Sequence, residues 1–278
     1  LISLSSFSEL PFGLLAIYVT VFGLLVGSFL NVVVARLPAG ESLVNPRSRC
    51  PGCKKPIAWY DNLPVLSWIF LRGRCRGCKT SISIRYPVIE MLTALLFLAS
   101  WLLARQNADV TWVLFVRDWP LLAMLVAITF IDLEHRIIPN ELSFGGLVLG
   151  LATGWAVPDL GWQLSIGGAV LGFGFFWALA AGYEKITGRM GLGGGDIKLL
   201  AMLGAFFGPI GVFTTILISS VIGSLVGITW GLIQNRTGSG ESSPLMRVSI
   251  PFGPFLVLGA LYYYLLGELL WLPFTRPI

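Results

Sequence analysis

Residues 11–34 run for 24 positions without a charged side chain. At about 1.5 Å of rise per helical residue, such a stretch crosses the ~30 Å hydrocarbon core of a bilayer. Comparable apolar stretches recur towards the end of the chain, and this recurrence restricts the fold more than any other feature. Charged residues are 12% of the 278 and AVILMFWYC are 55%, whereas a soluble domain carries about 25% charge. The chain is too apolar for intrinsic disorder. As a soluble globule it would expose patches that invite aggregation. The composition therefore predicts an all-α polytopic membrane protein. Leu1 rather than Met at the first position is expected of a trimmed or processed segment. Residues 11–34 hold no Ala-x-Ala-like cleavage site and are expected to stay as a spanning helix.

Length and hydropathy predict about eight transmembrane helices, near 11–35, 86–104, 112–133, 141–157, 162–184, 196–208, 210–233 and 251–272. Arg117 and Asp118 interrupt the third. The sixth is short, and Gly208-Pro209 separates it from the seventh, the pattern of a half-helix lining a polar cavity. With the N-terminus outside, 16 of the 19 Lys and Arg fall on inside loops and helix ends, which the positive-inside rule assigns to the cytoplasm. Both termini are then expected in the periplasm. The polar segment 36–85 becomes a cytoplasmic subdomain between a first helix (1–35) and the remaining spans (86–278). No tandem repeat is evident, and the ten Trp residues fall mostly near helix ends as interface anchors.

Cys50-Pro51-Gly52-Cys53 and Cys75-Arg76-Gly77-Cys78 hold every cysteine of the chain, with 21 residues between the pairs. Two thiolates three positions apart on a tight turn converge on one tetrahedral ion at ~2.3 Å Zn–S. Neighbouring Arg and Lys favour thiolates, and a cytosolic location disfavours disulfides. Cys50, Cys53, Cys75 and Cys78 are thus the expected ligands of a structural zinc. Four protein ligands leave no open position for catalysis. A loop of this size lacks a core of its own and needs such a staple. The cations around it follow from the positive-inside rule, so no nucleic-acid partner is inferred.

Two acids stand at predicted membrane borders. Asp132 ends the apolar run 121–131, and Asp196 follows Gly193-Gly194-Gly195 at the start of the short sixth helix. A carboxylate in such a place is costly unless hydrated, paired or protonated, which makes it a functional candidate. On the predicted topology both lie at the cytoplasmic face. Two carboxyls held close share a proton: one can activate water as a general base while the other protonates a leaving group. The bland alternatives are a helix N-cap for Asp196 and a loop carboxylate for Asp132. The Gly-x-Gly pattern is not preceded by a strand, as a dinucleotide site requires.

Longer motifs surround these residues. Gly27-Ser28-Phe29-Leu30-Asn31-Val32 with Arg36-Leu37-Pro38 precedes the cysteine segment. That segment also carries Trp59-Tyr60, Asn62-Leu63-Pro64-Val65, Ser67-Trp68, Arg72-Gly73-Arg74 and Arg85-Tyr86-Pro87 up to Glu90. Downstream stand Asp132-Leu133-Glu134-His135-Arg136-Ile137-Ile138-Pro139-Asn140, Gly195-Asp196-Ile197-Lys198 and Pro251-Phe252-Gly253-Pro254. Over nearly its whole length the chain resembles the bacterial type IV prepilin peptidases, also called leader peptidase/N-methyltransferases. The Gly-x-Gly-Asp form is shared with presenilin-like proteases. The resemblance implies Asp132 and Asp196 as the catalytic aspartates of an aspartic endopeptidase. Such enzymes cut the basic leader from prepilins and type II secretion pseudopilins at the cytoplasmic side of the inner membrane. Many then methylate the new N-terminal amine with S-adenosylmethionine, and the cysteine segment favours that bifunctional type.

Other polar residues carry weaker expectations. Glu90 reads equally as a substrate or methylation group and as a partner for Arg85 or the interface. His135, the only histidine, reads as a loop residue. Lys198 either tunes Asp196 or steers peptide, or else snorkels, and Asn31 caps or cross-links helices. Glu41, Asp61, Glu134 and Glu184 are inside-facing acids placed to meet leader cations, although exposed pairs are worth only about 0–1 kcal/mol. Two other classes compete: a transporter relaying protons through the carboxylates, and a non-catalytic, membrane-tethered zinc module. The first needs an inverted repeat that the chain does not display.

Overall fold

The structure is a computed structural model that describes residues 11–104, 113–157, 159–188, 193–236 and 251–267. Among the described residues the regular structure is helical, with two isolated β-bridges and no strand. The α-helices are α1 (Phe12–Arg36), α2 (Leu66–Phe70), α3 (Arg85–Ala104), α4 (Trp119–His135), α5 (Asn140–Thr153), α6 (Gly161–Thr187), α7 (Gly194–Arg236) and α8 (Gly253–Leu266). Each of the eight predicted segments falls on helix. Five helical stretches are long and apolar enough to cross a membrane, including α1, α3, α6 and α4 with the turn before it. The fifth covers Gly194–Ile233 of α7. Helices α5 and α8, with 14 residues each, are about 21 Å long and shorter than the hydrocarbon core. The predicted last helix reaches 272, and its part beyond 267 lies outside the described residues.

The chain divides into two compact units, Leu1–Ala127 and Ile128–Ile278. In the first, α1 packs along α3 through small residues. A Cβ on Gly23 would stand 2.6 Å from the Ala94 Cα, and one on Gly27 2.6 Å from the Glu90 Cα. Such close backbone approach drives helix association where no hydrophobic effect operates between helices. Asn31 Nδ2 donates to the Tyr86 carbonyl at 3.1 Å and cross-links α1 to the first turn of α3, as expected. Arg117 and Asp118, read in the sequence as an interruption, do not break the helix. Arg117 Nη1 meets Asp118 Oδ1 at 2.9 Å with both residues buried, inside a π-helical turn, Leu114–Asp118, that runs into α4. Pairing keeps these charges tolerable away from water. Trp119 then stacks on Phe97 at 4.8 Å and donates its indole N–H to Ser100 Oγ at 3.0 Å.

In the second unit α7 is the central element, packed by α5, α6 and α8. Its 43 residues are broken at Gly208, where φ 69° and ψ −173° leave the helical region. Pro209 follows, and a proline removes one helical hydrogen bond and crowds the preceding turn. The two arms are the predicted sixth and seventh helices. The break sits where α6 presses hardest: a Cβ on Gly168 would collide with the Gly204 carbonyl and stand 2.6 Å from the Gly208 Cα. Ser165 Oγ donates to the Ala205 carbonyl at 2.7 Å across the same interface.

Gly168→Ala is therefore expected to lower stability by about 1–3 kcal/mol, the usual cost of overpacking. This would be read as a lower melting temperature in detergent. Gly174→Ala, on the same helix with nothing within 4 Å of the new Cβ, should leave the melting temperature unchanged or raise it.

Candidate active site and metal centre

Asp132 and Asp196, 64 positions apart in the sequence, line one cleft of about 740 Å³ in the second unit. Asp132 is in the last turn of α4, 5% exposed. Its Oδ2 accepts the Gly253 backbone N–H at 3.0 Å. Gly253 opens α8, and the first N–H groups of a helix have no partner within it. Asp132 fills that need from outside, and α8 in turn fixes the carboxylate. A side chain at 253 would destroy this arrangement, since its Cβ would stand 2.6 Å from Asp132 Oδ2. The chain leaves α4 sharply at Arg136, φ 56°, whose N–H returns to the Asp132 carbonyl at 2.9 Å.

Asp196 lies in the first turn of α7, half-buried. Its N–H bonds to the Gly193 carbonyl at 3.1 Å. Residues 189–192, just before the glycine run, lie outside the described residues. Ile138 explains two of the glycines flanking the site. A Cβ at Gly195 would lie 3.0 Å from the Ile138 Cβ, and one at Gly253 3.3 Å from its Cδ1. The isoleucine is a wedge against which two backbones close, the one that carries Asp196 and the one that donates to Asp132. A second tie joins the same motifs, for Lys198 Nζ donates to Asn140 Oδ1 at 2.7 Å and lies 5.4 Å from the centre of the Phe144 ring.

The cleft is lined by polar and apolar side chains together. Arg136 and Lys198 line it with the two acids, and Phe175, Phe176, Leu179 and Ile216 supply the apolar wall. Two carboxyls that line one cleft have the parts needed for acid–base hydrolysis without a nucleophilic side chain. His135 and Glu184 are exposed and do not line the cleft. The sequence reading missed Gly253 and Ile138 as site residues. The motif around Gly253 was visible, but nothing local in it names Asp132 as its partner.

In the first unit the four cysteines form a second cluster. Their Sγ atoms all lie within 4.8 Å of one another, and Cys50 Sγ is 3.6 Å from Cys78 Sγ. That is too long for a disulfide and close to the edge of a tetrahedron with ~2.3 Å metal–sulfur bonds, so the thiols fit a metal. The two pairs are built alike. The Cys50 N–H meets the Lys55 carbonyl at 3.0 Å and the Lys54 N–H the Cys50 carbonyl at 2.8 Å. In the second pair Cys75 with Thr80 and Lys79 with Cys75 repeat this at 2.9 and 3.0 Å. Lys54 and Lys79 both take positive φ, 58° and 61°. The residues repeat as well, which the sequence reading passed over: Arg49-Cys50-Pro51-Gly52-Cys53-Lys54 and Arg74-Cys75-Arg76-Gly77-Cys78-Lys79 differ at one position. Backbone N–H groups of Cys78 and Gly77 draw the Cys75 thiol down, and the Thr80 hydroxyl brings Cys78 down to about 6. Both favour the thiolate that a metal binds, whereas the Cys50 thiol, against the lowering pull of the Cys53 backbone, is pushed up to about 11 by burial and by side-chain hydrogen bonds with Cys75 and Cys78.

Arg76, inside the second pair, grips the Asp61 carboxylate through Nε at 2.9 Å and Nη2 at 2.6 Å. It also lies 5.6 Å from the Tyr60 ring centre. The guanidinium holds the Asp61 carboxyl below its usual range, and this acid, expected to meet leader cations, is thereby committed inside the segment. Glu90, on α3, accepts the Val65 backbone N–H on Oε2 at 2.7 Å.

The family described as Bacterial Peptidase A24 N-terminal domain matches residues 21–104, and the Type IV leader peptidase family matches residues 119–228. A prepilin leader peptidase/N-methyltransferase of Myxococcus xanthus is 36% identical over 97% of this chain and 96% of its own length. Its namesake in Aeromonas hydrophila is 37% identical over 94% of both chains, and that of Neisseria gonorrhoeae 34% over 90% of both. No solved structure matches the chain at a significant level. With its paired-acid cleft, its cysteine cluster and end-to-end similarity to these relatives, the chain belongs to the type IV leader peptidase family.

Proposed function

We propose that this chain is a multi-pass membrane aspartic endopeptidase that removes the basic leader of type IV prepilins or pseudopilins, then methylates the new N-terminus. The observation that carries the proposal is that Asp132 and Asp196 line one cleft in a chain 34–37% identical to relatives named for this pair of activities. A proton-relaying transporter or a non-catalytic zinc module would leave that identity without a reason.

In this reading a water molecule lies between the two carboxyls. One carboxylate takes a proton from the water as its oxygen attacks the scissile carbonyl carbon. The other, protonated, hydrogen-bonds the carbonyl oxygen and then supplies the proton that lets the amine leave. The Gly253 N–H keeps the Asp132 carboxylate in register with its partner, because reacting groups misplaced by about 1 Å cost as much as 10²-fold. The apolar wall of Phe175, Phe176 and Leu179 suits an apolar substrate segment next to the cleaved bond. Residues 36–85 are read as a cytoplasmic subdomain and 86–278 as the protease part, in the bacterial inner membrane with both termini periplasmic. Zinc on Cys50, Cys53, Cys75 and Cys78 would hold that subdomain together and would not take part in hydrolysis. When bound, S-adenosylmethionine would supply a methyl group for the freed amine, and addition of a labelled donor to a cleavage assay would register that second activity.

Asp132→Asn and Asp196→Asn are each expected to reduce prepilin cleavage by about 10²–10⁴-fold or more, the usual weight of a general acid or base, with unchanged melting temperature. Appreciable cleavage by either purified variant would count against the dyad. Gly253→Ala keeps both acids in the chain but displaces the Asp132 carboxylate, and should lower the turnover of a peptide with a Gly–Phe junction by about 10–100-fold. Metal analysis of the purified protein should find one zinc per chain. Cys50→Ser should lose it and open residues 36–85 to proteolysis, while a metal-free preparation with that segment still protected would refute the staple.

A further inference from the structure

Between the two cysteine pairs lies a short apolar segment that neither cluster uses. Leu66, Ile69 and Phe70 share one face of the five-residue helix α2, and are 53%, 57% and 80% exposed. Leu63, just before it, is exposed as well. The opposite side of α2 is pinned. Ser67 is buried and its Oγ donates to the Tyr60 carbonyl at 3.0 Å, while the Trp68 indole donates to the Ile82 carbonyl at 3.1 Å. The apolar face is thus held outward by polar bonds behind it, which is costly in water.

The depth of this segment is set by Glu90. Helix α3 has 20 residues, about 30 Å, so it is only as long as the hydrocarbon core is thick. Glu90 is its sixth residue, about 7 Å in from Arg85. Its carboxylate holds the Val65 N–H, which places the start of α2 beside the second turn of a spanning helix. Val88 and Met91, flanking Glu90 on α3, are exposed apolar side chains, as at a lipid-facing level. Irregular backbone at that depth must have its polar groups satisfied by protein. Glu90 does so for a turn whose Val65 has φ 60°, a conformation a β-branched residue rarely takes. Charge points the same way. Residues 37–84 hold eight Lys and Arg against Glu41 and Asp61, and exposed Arg72 and Arg74 follow α2 directly.

We infer that residues 63–70 form an interfacial wedge inserted into the leaflet that α1 leaves and α3 enters, with Leu63, Leu66, Ile69 and Phe70 in the acyl boundary and Arg72 and Arg74 on anionic headgroups. Glu90 is the positioning residue that clasps the wedge at its depth. The occupant of the apolar face is phospholipid.

The full-length protein carrying a benzophenone amino acid at Phe70 would be reconstituted in vesicles of phosphatidylcholine and phosphatidylglycerol, irradiated and analysed by mass spectrometry. Phospholipid adducts at position 70 are expected, with phosphatidylglycerol enriched about threefold or more over its share of the vesicle. Arg72→Gln with Arg74→Gln should remove the enrichment. Glu90→Ala should cut the adducts several-fold while Glu90→Gln, which keeps an acceptor oxygen, retains them. Adducts only to a second copy of the chain, to an added prepilin, or to no lipid at all would overturn the inference. Full adduct yield in Glu90→Ala would overturn the clasp.

Discussion

The hydrogen bond from the Gly253 N–H to the Asp132 carboxylate joins residues 121 positions apart, and the candidate active site is organised around it. A helix N-terminus without internal partners and a carboxylate removed from bulk water each answer the other's deficiency. Because α8 begins at this bond, the helix and the acid cannot be placed independently. Ile138 extends the constraint to Asp196 by packing against Gly195 and Gly253 together. The glycines are there because the backbones must come within van der Waals distance of one side chain.

The same economy of side-chain volume runs through the membrane helices. Gly23 and Gly27 let α1 lie on α3, and Gly168, Gly172 and Gly204 do so for α6 and α7. Lipid offers no hydrophobic reward for bringing apolar helices together, so contact area and backbone proximity must supply the attraction. The break at Gly208-Pro209 falls within the α6–α7 contact. There Gly168 crowds the Gly208 backbone, and the shortened first arm of α7 carries Asp196 at its start.

Residues 37–84 follow different rules, because a segment with few large buried side chains has little core to hold it. Among its apolar side chains only Cys50 is buried. Order comes from the two cysteine turns, from the Asp61–Arg76 ion pair and from Glu90 reaching out of α3 to Val65. Glu90, read in the sequence as open between a substrate or methylation group and a partner for Arg85 or the interface, holds the Val65 N–H.

By itself the sequence determined the helical, membrane-embedded character of the chain, since unbroken apolar stretches leave the backbone no partner except itself. It also marked the two acids and the four thiols, because charge at a membrane border and C-x2-C spacing are costly unless used. The partners were decided only by the tertiary structure. Nothing local in the residues says that Gly253 serves Asp132, that Asn140 holds Lys198, or that Arg117 and Asp118 pair within a continuing helix. Those choices rest on contacts between segments far apart in the chain, or on burial that neutralises two charges at once. Hydropathy reads one residue at a time and carries neither kind of information.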